Sequence, residues 1–216
     1  VTGAGSGIGL ALANAFAASG CSVVLADVQQ DALDAAVAEV GAHGVDAIGV
    51  LTDVSKVEQV EDLATQTMER FGAVHVLCNN AGVASKAEPW AGSLEAWEWT
   101  MDINFWGVVY GVRTFLPHIA ASGGGHVVNT ASIAGLMPGF GASYDASKHA
   151  VVAITEGLFN SLVLSPVPIG VSCLCPGWVR TGIYDADRNW PAELGERPPD
   201  NELQAIQADY IRRALD

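Results

Sequence analysis

The chain of 216 residues is 50% hydrophobic and only 16% charged, so it can bury a large core and is not disordered. Its apolar runs fall short of the roughly 18 residues a spanning helix needs, and a formal charge of -14 repels phosphate backbones. No membrane or nucleic-acid partner is expected, and four cysteines set in apolar runs (Cys21, Cys78, Cys173, Cys175) point to a reducing, cytoplasmic setting rather than a disulfide framework.

The pattern alternates from the start. An apolar fragment at Val1 runs into a glycine turn, and apolar spacing predicts a helix from Ile8 to Ser19. Cys21–Ala26 is a short β-branched run that reads as a buried strand, and Asp31 is the expected N-cap of a helix ending near Gly41. A strand over Ala47–Leu51, a helix over Val57–Phe71 and a strand over Val74–Cys78 follow. One long helix is predicted from Leu94 to Ala121, weakened at Gly107, Gly111 and Pro117. Then come a strand over Val127–Thr130, a helix over Tyr144–Leu164 and a strand over Ile169–Leu174. Residues 181–202 read as a loop, and Glu202–Leu215 as a closing helix. Strands that each lead into a helix predict an α/β fold: a doubly wound, mostly parallel sheet covered on both faces. The expectation is one domain over residues 1–216, with a cofactor half (1–82) and a catalytic and substrate half (83–216). Because Val1 already lies in an apparent strand and no seventh strand follows, both ends of the natural chain are expected to lie beyond these residues.

The turn between the first strand and helix reads Thr2-Gly3-Ala4-Gly5-Ser6-Gly7-Ile8-Gly9. Glycines there let the backbone turn tightly and approach a pyrophosphate at a helix N-terminus. The G-x-G-x-x-G register fails, because Leu10 stands where the third glycine of a run from Gly5 would fall, and no Lys follows as in a P-loop. Asp27 closes the second strand, where a carboxylate can accept the adenosine ribose hydroxyls and repel a 2′-phosphate. Neither Val28, Gln29 and Gln30 nor Ser6 supplies a cation, so NAD is expected over NADP. Tyr144 and Lys148 lie one helical turn apart, and Lys148 is the only Lys or Arg between Arg113 and Arg180. An ammonium so placed is expected to lower the phenol from its usual ~10 and make Tyr144 a general acid–base.

These residues carry a resemblance to the short-chain dehydrogenase/reductase family. The matching positions are Thr2-Gly3-x3-Gly7-x-Gly9, Asp53, Asn79-Asn80-Ala81-Gly82, Asn104, Ser132, Tyr144-x3-Lys148 and Pro176-Gly177-x-Val179-x-Thr181. The resemblance implies a Rossmann-like fold, a nicotinamide cofactor and a catalytic tetrad of Asn104, Ser132, Tyr144 and Lys148. It implies cofactor contacts from Gly3, Gly5, Ser6, Gly7, Ile8 and Gly9, from Asp27, Asp53 and Val54, and from Asn80, Ala81 and Gly82. Tyr144, Lys148, Pro176, Gly177, Val179 and Thr181 complete that set. Asn104 is implied to bend its helix and hold a water that links Lys148 to solvent. The implied reaction is reversible hydride transfer between NAD and a secondary alcohol or ketone, in a homodimer or homotetramer joined through the helices 94–121 and 144–164.

Other features carry less. Cys173-x-Cys175 lacks a second ligand pair, so no metal is expected and a core role is the simpler reading. His149 is expected at the surface or a subunit contact, Trp97, Trp99 and Trp106 in core or interface packing, and Trp90, Trp178 and Trp190 at the substrate mouth. Met137, Phe140, Ile183 and Tyr184 join that mouth and suggest a mainly apolar substrate. The alternatives are a catalytically silent dinucleotide sensor and an NADP-dependent carbonyl reductase. An extended-type epimerase would need a G-x-x-G-x-x-G loop, and an enoyl reductase a lysine where Val151 stands.

Overall fold

The computed structural model describes every residue except 86, 89, 91–92, 140, 203–205, 207–208, 210–212 and 214–216. Among the described residues the strands are parallel: β1 (Val23–Asp27), β2 (Ala47–Leu51), β3 (Val76–Asn79), β4 (Gly125–Thr130) and β5 (Ile169–Leu174). β1 pairs with β2, Val23 opposite Ala47, while β3, β4 and β5 form a second ladder with Val76 opposite His126 and Gly125 opposite Ile169. The fragment at the chain start joins the two ladders. Thr2 bridges Ala26 in parallel, and its N–H donates to the Cys78 carbonyl at 3.0 Å. The order is therefore β2-β1-Thr2-β3-β4-β5, which reverses direction beside Thr2. In such sheets the crevice at the carboxyl ends of the strands, at the reversal, takes the ligand.

The helices are α1 (Gly7–Ala18), α2 (Gln30–Gly41), α3 (Val57–Phe71), α4 (Leu94–Met101), α5 (Gly107–Ala121) and α6 (Ala142–Leu162). Alternation along β1 sends Val23 and Leu25 into a cluster with Ala13, Ala17, Leu33 and Val40 of α1 and α2. Ala26 faces the opposite side, where Val60 and Leu63 of α3 and Phe115 and Ile119 of α5 pack on the sheet. α6 covers the same side, with Val151 against Val108 of α5. Both faces are thus covered, as the alternating pattern predicts. Fully buried side chains such as Leu25 and Ile119 each contribute about 1.5–3 kcal/mol through burial.

Three expectations are corrected. Gln29, not Asp31, stands at the N-cap of α2; Asp31 lies in the first turn, where its charge suits the helix dipole. The predicted long helix is not continuous: a π-turn over Asp102–Trp106 separates α4 from α5, and the break falls at none of Gly107, Gly111 and Pro117. The predicted loop 181–202 contains two 3-10 segments, Gly182–Asn189 and Ala192–Leu194. Of the predicted closing helix, Glu202, Ile206, Asp209 and Arg213 are helical and the rest lies outside the described residues. No helix among the described residues is long and apolar enough to cross a membrane.

Candidate active site

A cleft of about 450 Å³ opens at the carboxyl ends of the strands beside the reversal. Its floor begins with the glycine turn. Gly7 has φ +54, a left-handed conformation that side chains resist, and Gly9 lies so close to the strand that a Cβ would sit 2.1 Å from the Gly3 carbonyl oxygen. Ser6 is the N-cap of α1 but makes no side-chain cap bond, and no acidic residue stands in the first turn. An uncapped helix start lined by Ser6, Gly7 and Ile8 suits a pyrophosphate. Thr2 holds this floor to the far wall. Its Oγ1 accepts the N–H groups of Asn80 (2.9 Å) and Ala81 (3.0 Å), and Asn80 Nδ2 donates to its carbonyl at 3.0 Å.

Asp27 lies on the cleft wall at the end of β1. Its Oδ2 accepts the Gly5 N–H at 2.8 Å and its Oδ1 that of Gln29 at 3.0 Å, so the carboxylate also fixes the glycine turn. Asp53 and Val54 line the cleft after β2, and Asp53 Oδ1 accepts from the Ser55 N–H and hydroxyl. Gly3, Asn80, Ala81 and Gly82 line it from the turn and from beyond β3, and Pro176, Gly177, Val179 and Thr181 from beyond β5. Thr181 stands directly across from Gly7: a Cβ there would meet its methyl at 3.1 Å. Gly5 and Gly9 do not line the cleft; they shape its floor from behind.

Ser132, Tyr144 and Lys148 converge at the other end. Ser132 caps the 3-10 turn Ile133–Gly135, its Oγ accepting the Ala134 N–H at 3.1 Å, which leaves the hydroxyl proton free to donate. Lys148 is 2% exposed; its Nζ donates to the Thr130 carbonyl at 2.9 Å and lies 5.6 Å from the centroid of the Tyr144 ring. Burial lowers the ammonium to about 8, countered in part by the thiols of Cys173 and Cys175. The Tyr144 phenol is not lowered, contrary to expectation. Burial raises it above its ordinary value, outweighing the Ser132 hydroxyl, which pulls it down. The ammonium is aimed at Thr130 and does not reverse that.

Asn104 sits in the π-turn and is fully buried, behind the cleft rather than on its wall. Its Oδ1 accepts the Val83 N–H at 2.8 Å, and its Nδ2 donates to the Val83 carbonyl at 2.9 Å and to Ser147 Oγ at 3.0 Å. Asn104 Oδ1 and Lys148 Nζ each lie 3.3 Å from the point where a Cβ on Gly82 would stand, so this glycine leaves the space between them open.

The tryptophans sort differently from the expectation. Trp99, expected only in packing, is 3% exposed and lines the cleft, while Trp178 lines it and Trp90 and Trp190 do not. Trp190 packs edge-on against Trp99 at 5.3 Å, and Trp90 lies tilted against Trp97 at 5.8 Å. Phe140 lies outside the described residues. His149 is exposed, with Nδ1 beside the Asp145 carbonyl. Cys173 and Cys175 lie 3.7 Å apart and pack with Val108, Ala131 and Val151. Burial and the neighbouring thiol push Cys173 up to about 11. Sequence reasoning missed Arg188, Asn189 and Asp145 on the wall. Only Asp145 had a local signal, its place beside Tyr144.

A doubly wound sheet, a glycine floor and a Ser-Tyr-Lys cluster at one cleft define a dinucleotide-dependent oxidoreductase. The short chain dehydrogenase family model matches residues 1–192, and the chain belongs to the short-chain dehydrogenase/reductase family. It is 41% identical over 185 residues to 1-deoxy-11-beta-hydroxypentalenate dehydrogenase of Streptomyces avermitilis, covering 84% of this chain and 68% of that one. It is 39% identical over 185 residues to putative oxidoreductase SadH of Mycobacterium tuberculosis, covering 85% and 67%. The crystal structure of a short chain dehydrogenase/reductase from Burkholderia phymatum in complex with NAD matches with TM-score 0.93 and 43% identity, over 100% of this chain and 77% of that one. Levodione reductase matches with TM-score 0.81 and 29% identity, over 97% and 88%. The chain is an oxidoreductase acting on an alcohol or ketone with a nicotinamide dinucleotide, and a silent sensor is not favoured.

Proposed function

We propose that this chain is an NAD-dependent dehydrogenase of secondary alcohols, working as one unit with a cofactor half (1–82) and a substrate half (83–216). The observation that carries the reading is the buried Lys148 beside Tyr144 and Ser132 in a cleft whose other end holds Asp27. The bound nicotinamide supplies the hydride acceptor. Tyr144 takes the hydroxyl proton as phenolate, and Ser132 donates a hydrogen bond to the substrate oxygen. Lys148 holds the nicotinamide ribose, and its ammonium, 5.6 Å from the centroid of the Tyr144 ring, favours phenolate. Asn104 fixes Val83 and Ser147, and its Oδ1 with Lys148 Nζ frames the space beside Gly82 that suits a relaying water. Ile103, Met137, Trp178 and Ile183 on the wall support a mainly apolar substrate. A relative named as a hydroxypentalenate dehydrogenase and a neighbour named levodione reductase support chemistry in both directions. Trp106, Phe159, Val163 and Leu164, exposed on and beside the long helices, support assembly into a homo-oligomer. Free thiols fit a cytoplasmic setting.

Asp27 decides the cofactor. It gains hydrogen bonds from ribose hydroxyls and repels a phosphate; Arg188, also on the cleft wall, keeps its charge but has its Nη1 turned to the carbonyls of Gly182 (3.0 Å) and Asp185 (2.8 Å). Losing those hydroxyl contacts and adding repulsion costs several kcal/mol, and each ~1.4 kcal/mol is tenfold. Following absorbance at the NADH band over a panel of alcohols and ketones tests both statements. The expected result is turnover with a preference for NAD of at least about a hundredfold in kcat/KM. Asp27→Ala is expected to narrow the ratio even as it loosens the glycine turn, so the ratio and not the rate is the readout. Equal efficiency with both cofactors in the unmodified protein overturns the assignment of Asp27.

A further inference from the structure

Asp145 is the only buried carboxylate among the described residues, 7% exposed, and it faces the cleft in the first turn of α6, beside Tyr144. No cation among the described residues pairs with it. Its Oδ2 instead accepts two backbone N–H groups of the loop that leads into α6, Gly139 at 2.7 Å and Gly141 at 3.2 Å. That loop carries Met137, Gly139 and Gly141 to the cleft wall. A buried charge held only by loop amides is costly unless both bonds are made, so the loop and the carboxylate order one another.

We propose that Asp145 is a positioning residue with two linked effects: its carboxylate pins the backbone at Gly139 and Gly141 against the substrate end of the cleft, and, buried beside Tyr144, it opposes formation of phenolate there. The proposal rests on the proton-transfer role given to Tyr144 above and adds to it a group that sets the pH at which that role begins. The Asp145 charge acts in the same direction as burial in raising the phenol. The other groups facing the phenol are the Ser132 hydroxyl, the Lys148 ammonium and Tyr184, itself pushed up to about 12 by burial and by Tyr144.

Two variants separate the effects. Asp145→Asn keeps an oxygen able to accept both loop N–H groups and removes the charge; Asp145→Ala removes both. Hydrogen exchange at the Gly139 and Gly141 amides reads the pin without any turnover. Protection is expected to persist in Asp145→Asn and to fall at least about tenfold in Asp145→Ala, with exchange in the core strands unchanged. Ultraviolet titration of the cofactor-free protein, with Tyr144→Phe backgrounds subtracted, reads the charge. The Tyr144 transition is expected at lower pH in Asp145→Asn than in the unmodified protein, and the rising limb of kcat/KM for cyclohexanol oxidation is expected to move with it. Unchanged protection in Asp145→Ala overturns the pin, and an unmoved phenol titration in Asp145→Asn overturns the charge effect. A phenol that titrates as expected in a protein inactive on every alcohol would instead overturn the proposed function and leave Asp145 its place.

Discussion

Tyr144→Phe is expected to lower turnover by at least about a hundredfold while NADH binding, read by its fluorescence, stays within a few-fold. The ring packs as before, and only the hydroxyl that carries the proton is lost; such groups typically contribute ~10²–10⁴-fold. In the direction of alcohol oxidation the active form is the phenolate. Because burial raises this phenol, kcat/KM is expected to climb with pH into the alkaline range rather than level off near neutrality. Ketone reduction uses the protonated form and is expected to fall over the same interval. A variant that retains more than about a hundredth of normal turnover would remove Tyr144 from the proton transfer.

Lys148→Met is expected to cost turnover on the same scale and to weaken NADH binding as well, because one ammonium serves the ribose and the phenol. Its stability has a definite sign. The ammonium is lowered to about 8 in the folded chain, against ~10.4 when unfolded, so the folded state is penalised for holding a charge below pH 8. Between those two values the unfolded chain binds more protons, and stability rises with pH. Denaturant titrations are therefore expected to show the unmodified protein gaining on Lys148→Met as pH rises from about 8 to 10. A change confined to the Michaelis constant of the alcohol would overturn the dual role of Lys148.

The parts of the site that were legible in the sequence depend on backbone geometry or on helical spacing. Gly7 and Gly9 mark a turn that few other residues allow, and Tyr144 and Lys148 share a helix face whatever surrounds them. The strand–helix alternation was legible because the strands are short apolar runs set between turn residues and amphipathic helices that pack on the sheet. The parts that were hidden depend on what a distant segment brings close. Trp99 faces the cleft, and Arg188 reaches it on the 3-10 segment 182–189, a placement no local pattern encodes. The state of the Tyr144 phenol was misjudged for the same reason. Spacing shows that an ammonium is near, but not that it is aimed at the Thr130 carbonyl or that burial outweighs it.

The π-turn at Asp102–Trp106 has a consequence for which changes of length this chain can accept. A π-turn holds one residue more than regular helix winding needs, so deleting a residue between 102 and 106 would let α4 run into α5 as one α-helix. The helix would improve by its own standards. A residue's step in an α-helix is about 100°; because the π-turn absorbs its extra residue locally, α5 would keep nearly its facing relative to α4, while side chains inside the turn would be re-aimed by about that step. Asn104 could no longer clasp both the N–H and the carbonyl of Val83, while Trp99 kept its face to the cleft. Local helical order and the geometry of the cleft are thus in competition at this point. The number of residues between Trp99 and Gly107 is set by the cleft rather than by the helix.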